Sequence, residues 1–296
     1  MFWRRKQERS HSQQHAQGML TSLYVMASMV EARDPYTGGH LWRVSQYSRL
    51  VAEKLSLPPA DIARIGLGGF LHDLGKVGVP DNILRKPGKL TDEEYAVIKA
   101  HPEVGKRVLA GHPLSSLVEA AIIAHHETPD GRGYPKGIGG LDVPLDARIV
   151  GVCDAFDAMT SHRPYRAGMP QEKALQIIES NAGRQFDFKA ADALLMLAKE
   201  GALSPIIGHT DDGIPLQECP ACGPTVVIKR EQRPGDLSCC RSCGNEVAVD
   251  KSNGKWAIAP TGQMATKEAL APDADNLLIE ALVESVLDHL QLPQTV

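Results

Sequence analysis

Residues 70–80 read FLHDLGKVGVP, and the fold turns on how that stretch is read. The preceding IARIGLGG (62–69) is apolar at helical spacing, so His72 and Asp73 close a largely buried helix. A carboxylate taken out of water is costly unless it is paired or bound to a metal. For an isolated His-Asp pair, a local cap and a satisfied core histidine are explanation enough. The reason for this pair has to come from the rest of the chain.

The chain has 296 residues, enough for one large domain with an appendage or for two domains. Its 43% hydrophobic and 23% charged content is that of an ordinary globular protein. A net charge of −4 gives no reason to expect a nucleic-acid or membrane partner. The polar start, residues 1–18, leads into MLTSLYVMASMV (19–30). That stretch is too short to span a bilayer and lacks a cleavage site, so a lead-in helix and a cytoplasmic protein are expected.

Residues 19–205 carry helical signals in VSQYSRLVAEKL (44–55), EEYAVIKAHPEVGKRVL (93–109), LVEAAIIAHH (117–126), RIVGVCDAFDAMTS (148–161) and QEKALQIIESNA (171–182). Thr91 with Glu94 forms a capping-box start. Glycine and proline gather in VPDNILRKPGKL (79–90) and in TPDGRGYPKGIGGLDVP (128–144), the second too long and aperiodic for a mere connection. Residues 206–217 read as a polar linker. TVVIKRE (225–231) and EVAVD (246–250) alternate like short strands in a unit spanning 218–250. Residues 251–272 read as irregular, and NLLIEALVESVLDHL (276–290) as an amphipathic helix packed on its own chain or in a dimer contact.

His40, His72, Asp73, His101, His125, His126 and Asp154 all lie in or beside apolar helices. A set of imidazoles and carboxylates gathered from separate segments suits two octahedral-type metals that share a carboxylate. Such a pair clamps an in-line phosphoryl displacement and makes water nucleophilic at neutral pH. Lys76, Arg163 and Arg166 follow these positions as cations for substrate phosphates, or as solvated surface charges. Asp157 reads as an exposed helix charge rather than a carboxylate orienting a ligand histidine. Cys153 reads as a buried helix residue without chemistry.

The sequence resembles the HD-GYP family, a branch of the HD metal-dependent phosphohydrolases, over roughly residues 20–195. The matches are DPYTGGHLWRV (34–44), FLHDLGKVGVPDNIL (70–84), KPGKLTDEE (86–94), HPEVG (101–105), HHETPDGRGYP (125–135), ARIVGVCDAFDAMTSHRPYR (147–166) and GRQFDF (183–188). The resemblance implies a mainly α fold, a helical HD-domain bundle. It implies one metal on His40, His72, Asp73 and Asp154. It implies a second on His101, His125 and His126 with Asp73 bridging, and it favours iron or manganese over nickel or zinc. Lys76, Arg163 and Arg166 match phosphate-contacting positions. Gly133, Tyr134 and Pro135 are expected at the site's rim and in protein contacts. The implied reaction opens cyclic di-GMP to linear pGpG and sometimes GMP, with Asp73, His72 and Lys76 at the chemistry. Tyr36 stands where some members carry a glutamate for a third metal, which favours two metals and pGpG. Another cyclic dinucleotide or nucleotide is the alternative substrate, and a slow nucleotide-binding adaptor the non-enzymatic alternative. The stretch before the lead-in helix is too short for the receiver or sensor domain that often precedes this family, so regulation is expected through the cysteine module, a partner or metal supply.

CPACG (219–223) and CRSCG (240–244) put 17 residues between two C-x2-C pairs. That is the spacing of a four-cysteine zinc ribbon on Cys219, Cys222, Cys240 and Cys243, with Cys239 as a spare thiol. Its metal is expected to be structural, and the module to make protein contacts or gate substrate rather than bind nucleic acid.

Overall fold

The computed structural model describes residues 2–34, 38–162, 167–223 and 225–290. Helices dominate the first two thirds: α1 (Phe2–Glu31), α2 (His40–Lys54), α3 (Pro59–Leu71), α4 (Asp81–Leu84), α5 (Asp92–Lys99), α6 (His101–Leu109), α7 (Ser115–Ala124), α8 (Leu145–Thr160), α9 (Gln171–Asn181) and α10 (Phe188–Lys199). Among the described residues no helix is long and apolar enough to cross a membrane.

The bundle forms around one continuous core. Leu20, Leu23 and Tyr24 of α1, Val44, Tyr47 and Val51 of α2, Ile65 and Phe70 of α3, Ile122 of α7, and Ile149 and Phe156 of α8 are all buried in it. Tyr24 meets Phe70 edge-on at 4.9 Å, and Tyr47 meets Phe156 at 5.2 Å, the geometry that aromatic quadrupoles favour. The lead-in helix is longer than its apolar stretch: residues 2–18, expected as a polar segment, are helical and continuous with it.

The helix expected over 93–109 is two helices. The Thr91–Glu94 capping box starts α5 as the sequence indicates, but the chain breaks at Ala100 and restarts with His101 and Pro102. Proline lacks the amide that an interior position needs, so it belongs in a first turn. His101 therefore opens α6 instead of lying inside a helix.

α3 ends at His72, and Leu74–Gly78 continues as a 3-10 turn. That tighter winding carries Asp73 and Lys76 away from the helix axis. Gly75 lets the turn lie against α6: a Cβ there would sit 1.7 Å from the His101 carbonyl oxygen. Because backbone is what it would hit, Gly75→Ala is expected to push the turn off α6 and lower stability by roughly 1–3 kcal/mol. Thermal unfolding checks the loss. Stability equal to wild type would contradict the packing.

Beyond α10 the sequence reading needs correcting. The stretch expected as a polar linker folds into a hairpin of β1 (His209–Asp211) and β2 (Ile214–Pro215), with Thr210 and Asp211 buried. β3 (Gln217–Glu218) pairs antiparallel with β4 (Thr225–Val226), a far shorter strand than 225–231. β5 (Leu237–Cys239), β6 (Asn245–Ser252) and β7 (Lys255–Met264) form an antiparallel sheet in the order β5-β6-β7. Residues 251–272, expected to be irregular, therefore hold the end of β6, all of β7 and α11 (Lys267–Leu270). Finally α12 (Asn276–Leu287) buries Ile279, Leu282, Val283 and Val286 in the bundle core. The C-terminal helix thus packs on its own chain.

Candidate active site

The fold gathers the candidate residues from five segments. His40 opens α2, His72 caps α3, Asp73 precedes the 3-10 turn, His101 opens α6, His125 and His126 follow α7, and Asp154 lies in α8. His40, His72, Asp73, His101 and His125 are all at most 6% exposed, so water does not satisfy them.

Asp73 holds the centre. Its Oδ2 lies 3.5 Å from both His40 Nε2 and His72 Nε2, and its Oδ1 lies 3.4 Å from His101 Nε2. Asp154 Oδ1 is 3.4 Å from His40 Nε2 and 3.8 Å from His72 Nε2. One carboxylate therefore faces two donor sets, His40–His72–Asp154 with one oxygen and His101–His125–His126 with the other. His40, His72 and Asp73 offer donor atoms within 4.8 Å of one another, as do His101, His125 and His126.

Hydrogen bonds on the far side of each ring fix which nitrogen faces inward. His72 Nδ1 donates to the Gly69 carbonyl at 2.7 Å, His101 Nδ1 to that of Ile98 at 2.8 Å, and His125 Nδ1 to that of Ala121 at 3.0 Å. A carbonyl only accepts, so each ring proton sits on Nδ1 and each Nε2 presents a lone pair to the centre. His101 and His125 consequently point lone pairs at each other across 3.2 Å, and the buried His72 Nε2 has no hydrogen-bond partner. That arrangement repels itself unless a cation lies between. Two donors each about 2.1 Å from one ion stand about 3.0–3.5 Å apart, close to the spacings seen here. The donor set fits metal ions.

Electrostatics point the same way for His101, His125 and His126. At His40, by contrast, burial is outweighed by the carboxylates of Asp157, Asp73 and Asp154, which push the ring up to about 9, a proton that a bound metal would displace. Burial disfavours charged imidazole and, with neighbouring histidines, holds His125 well below its ordinary range; burial likewise brings His126 down to about 4 and lowers His101. Neutral rings are the form a metal takes. Burial works against the Asp73 carboxylate too, but Lys76 first, with His72 and His40 beside it, outweighs burial and holds its pKa well below the usual carboxylate range. Lys76 Nζ donates to Asp73 Oδ2 at 2.5 Å. Tyr134 stacks on His126 at 4.6 Å, so the Gly133-Tyr134-Pro135 segment walls this side of the site. A cleft of about 210 Å³ runs from His126 and Asp154 past Arg148 to Gln185 and Phe186. Arg163, Arg166 and Tyr36 lie outside the described residues.

Asp157 overturns its reading as an exposed charge. It is 1% exposed, accepts from His40 Nδ1 at 2.8 Å, and forms a two-pronged pair with Arg43, whose Nε and Nη2 lie 2.6 and 3.0 Å from its oxygens. It therefore sets the tautomer and aim of His40. Burial works against its charge, but Arg43 and His40 hold its pKa far below normal. The sequence carried a signal: Asp157 is one helical turn from Asp154 and Arg43 one turn from His40, so each shares its candidate ligand's face. Arg43 was missed altogether, as was Glu127, which accepts the amides of Lys136 and Ile138 at 2.6 and 3.1 Å and pins the loop after Tyr134. Cys153 is fully buried beside Asp154, as expected.

A second donor cluster lies in the C-terminal module. Cys219 and Cys222 fall in the turn between β3 and β4, and Cys240 and Cys243 in the turn between β5 and β6. Cys219 and Cys243 sulfurs are 3.6 Å apart, as are those of Cys222 and Cys240, and all four lie within 4.8 Å of one another. Four thiolates about 2.3 Å from one zinc ion stand about 3.8 Å apart. Burial disfavours the Cys243 thiolate, but the Asn245 side chain and amide outweigh it and bring the thiol down to about 6. Cys239 points elsewhere, to the Ala269 carbonyl at 3.3 Å.

This helical fold with its histidine-aspartate centre is that of the HD domain family, whose profile matches residues 24–190, more than half of the chain. The chain belongs to that family. It is 44% identical over 172 residues to the cyclic di-GMP phosphodiesterase response regulator RpfG of Xanthomonas campestris, covering 57% of this chain and 46% of the relative. It is 39% identical over 180 residues to a cyclic di-GMP phosphodiesterase of Thermotoga maritima, covering 60% and 49%. It is 42% identical over 167 residues to 3′3′-cGAMP-specific phosphodiesterase 3 of Vibrio cholerae, covering 56% and 36%. The chain thus spans less than half the length of each of these relatives.

Proposed function

We propose that the protein is a metal-dependent phosphodiesterase that hydrolyses cyclic di-GMP to linear pGpG. The observation that carries the reading is the Asp73 carboxylate, which faces one histidine set with each oxygen while His72, His101 and His125 turn unprotonated nitrogens inward. His40, His72, Asp73 and Asp154 would hold one divalent ion, and His101, His125, His126 and Asp73 a second, iron or manganese before nickel or zinc. When bound, such a pair supplies a nucleophilic water at neutral pH and neutralises charge at the phosphodiester. Asp157 holds His40 in the donor orientation. Lys76 stands on the partly open side of Asp73, its side chain 22% exposed, and would meet a substrate phosphate. Arg163 and Arg166 would be further phosphate contacts. Tyr134 screens His126 from water, and the adjoining cleft gives the nucleotide a place to lie.

We assign the four-cysteine cluster a structural zinc and the chain a cytoplasmic place. The relative named for 3′3′-cGAMP supports that dinucleotide as a second substrate.

Anaerobic turnover tests the reading. Protein loaded separately with ferrous iron and with manganese is given cyclic di-GMP or 3′3′-cGAMP, and products are separated by chromatography. Linear dinucleotide is expected to accumulate over mononucleotide, and the variant combining His72→Ala with Asp73→Ala to form none. No turnover of either substrate at confirmed metal occupancy would contradict the assignment.

A further inference from the structure

We propose that Arg241 is a positioning residue through which the four-cysteine module sets the geometry of the metal-binding turn. The inference rests on the phosphodiesterase reading for its kinetic readout only. Arg241 lies inside the second knuckle, between Cys240 and Cys243. The knuckle is a closed turn: the Gly244 amide donates to the Cys240 carbonyl at 2.8 Å, and the Cys240 amide to that of Asn245 at 2.9 Å. From it the half-buried Arg241 donates through Nη1 to the Ala32 carbonyl at 2.9 Å, at the end of α1.

The next residue carries the link onward. Arg33 donates from Nη1 to the Val77 carbonyl at 3.0 Å, and from Nη2 to the Val79 carbonyl at 3.0 Å and to Asp81 at 2.7 Å. Those carbonyls belong to the end of the turn that carries Asp73 and Lys76. The Arg33 carbonyl in turn accepts from Arg85 Nε at 2.8 Å. Ala32 and Arg33 are thus held between the cysteine knuckle and the turn of the bridging carboxylate, and the same segment leads on to His40.

The β1 hairpin grips that segment from its other end. Arg43 Nη1 donates both to the Gly38 carbonyl and to the His209 carbonyl of β1, each at 2.9 Å. Gly39 has φ +72°, and a Cβ on it would lie 2.6 Å from Thr210 Cα. The C-terminal part of the chain therefore touches the α1–α2 connection at both ends, and both contacts reach residues that position the candidate ligands. A folded knuckle keeps the Arg241 contact; an opened knuckle releases it. Since about 1 Å of misplacement can cost about a hundredfold in rate, a small slackening here is enough to matter.

The test is a double-mutant cycle of Arg241→Ala and Cys222→Ser on the full chain loaded with manganese, read by kcat, KM and amide hydrogen exchange. Each single variant is expected to lower kcat about tenfold with KM within about twofold, and the double variant to lose no more than either single one. Exchange over residues 30–43 and 73–79 is expected to rise equally in all three. Zinc content confirms that Arg241→Ala keeps its knuckle; if it does not, Arg241→Gln takes its place in the cycle. A wild-type kcat and exchange pattern in the Arg241 variant would overturn the proposal, and so would losses that multiply in the double variant. Should wild-type protein turn over no cyclic dinucleotide, the phosphodiesterase reading fails by itself. The exchange pattern then decides the coupling.

Discussion

Replacing Asp73 with asparagine is expected to lower kcat/KM on cyclic di-GMP by on the order of 10³-fold or more. The carboxylate is used at both ends, Oδ2 toward His40 and His72 and Oδ1 toward His101. An amide keeps one acceptor and turns the other end into a donor, so it cannot serve both histidine sets. Steady-state kinetics with metal analysis check the loss. Near-wild-type turnover at full metal occupancy would contradict the shared role of the two oxygens.

The second large effect concerns stability. Asp157→Ala leaves Arg43, 1% exposed, without its carboxylate. Stranding one partner of a buried ion pair costs about 3–5 kcal/mol, and a domain of this size loses roughly 2–4 °C in Tm per kcal/mol. Exchanging both partners for apolar residues, Asp157→Leu with Arg43→Met, should recover part of that stability, because the stranded charge is gone. The Gly38 and His209 carbonyls and His40 Nδ1 still lose a partner. Activity should not return. His40 would still lack the acceptor on Nδ1, a loss worth about 10–100-fold in metal affinity or rate. Calorimetry and kinetics on the single and paired variants check both halves. Recovery of activity with stability would mean that Asp157 acts only through packing.

Much of this was legible in the sequence. The helical periodicity of the first two thirds, the Thr91–Glu94 cap and the candidate ligands rest on local signals, and the fold brings every described member of that set together. The cysteine spacing likewise picked the four sulfurs that converge and left out Cys239. Two hairpins were missed although the chain announces them. Asn253-Gly254 joins β6 to β7 with both residues at positive φ, and Asp212-Gly213 joins β1 to β2. These are the dipeptides that two-residue turns demand. Pro102 also marked the restart that makes His101 the first residue of α6. Asp157 was harder to read. Nothing along the chain tells a buried acid from an exposed one until its partner is known, and Arg43 lies 114 residues away. The same holds for Arg241 and Ala32, 209 residues apart. Long-range polar contacts leave no period to read.

The most direct measurement is an anaerobic manganese titration of protein whose cysteine site already holds zinc, followed by electron paramagnetic resonance. About two equivalents should bind per chain, and ions bridged by one carboxylate about 3.5–4 Å apart should give a spin-coupled signal. In Asp73→Asn that coupling should vanish. Binding of a single equivalent, or of two that stay magnetically isolated in wild type, would contradict the shared-carboxylate site on which the proposed chemistry depends.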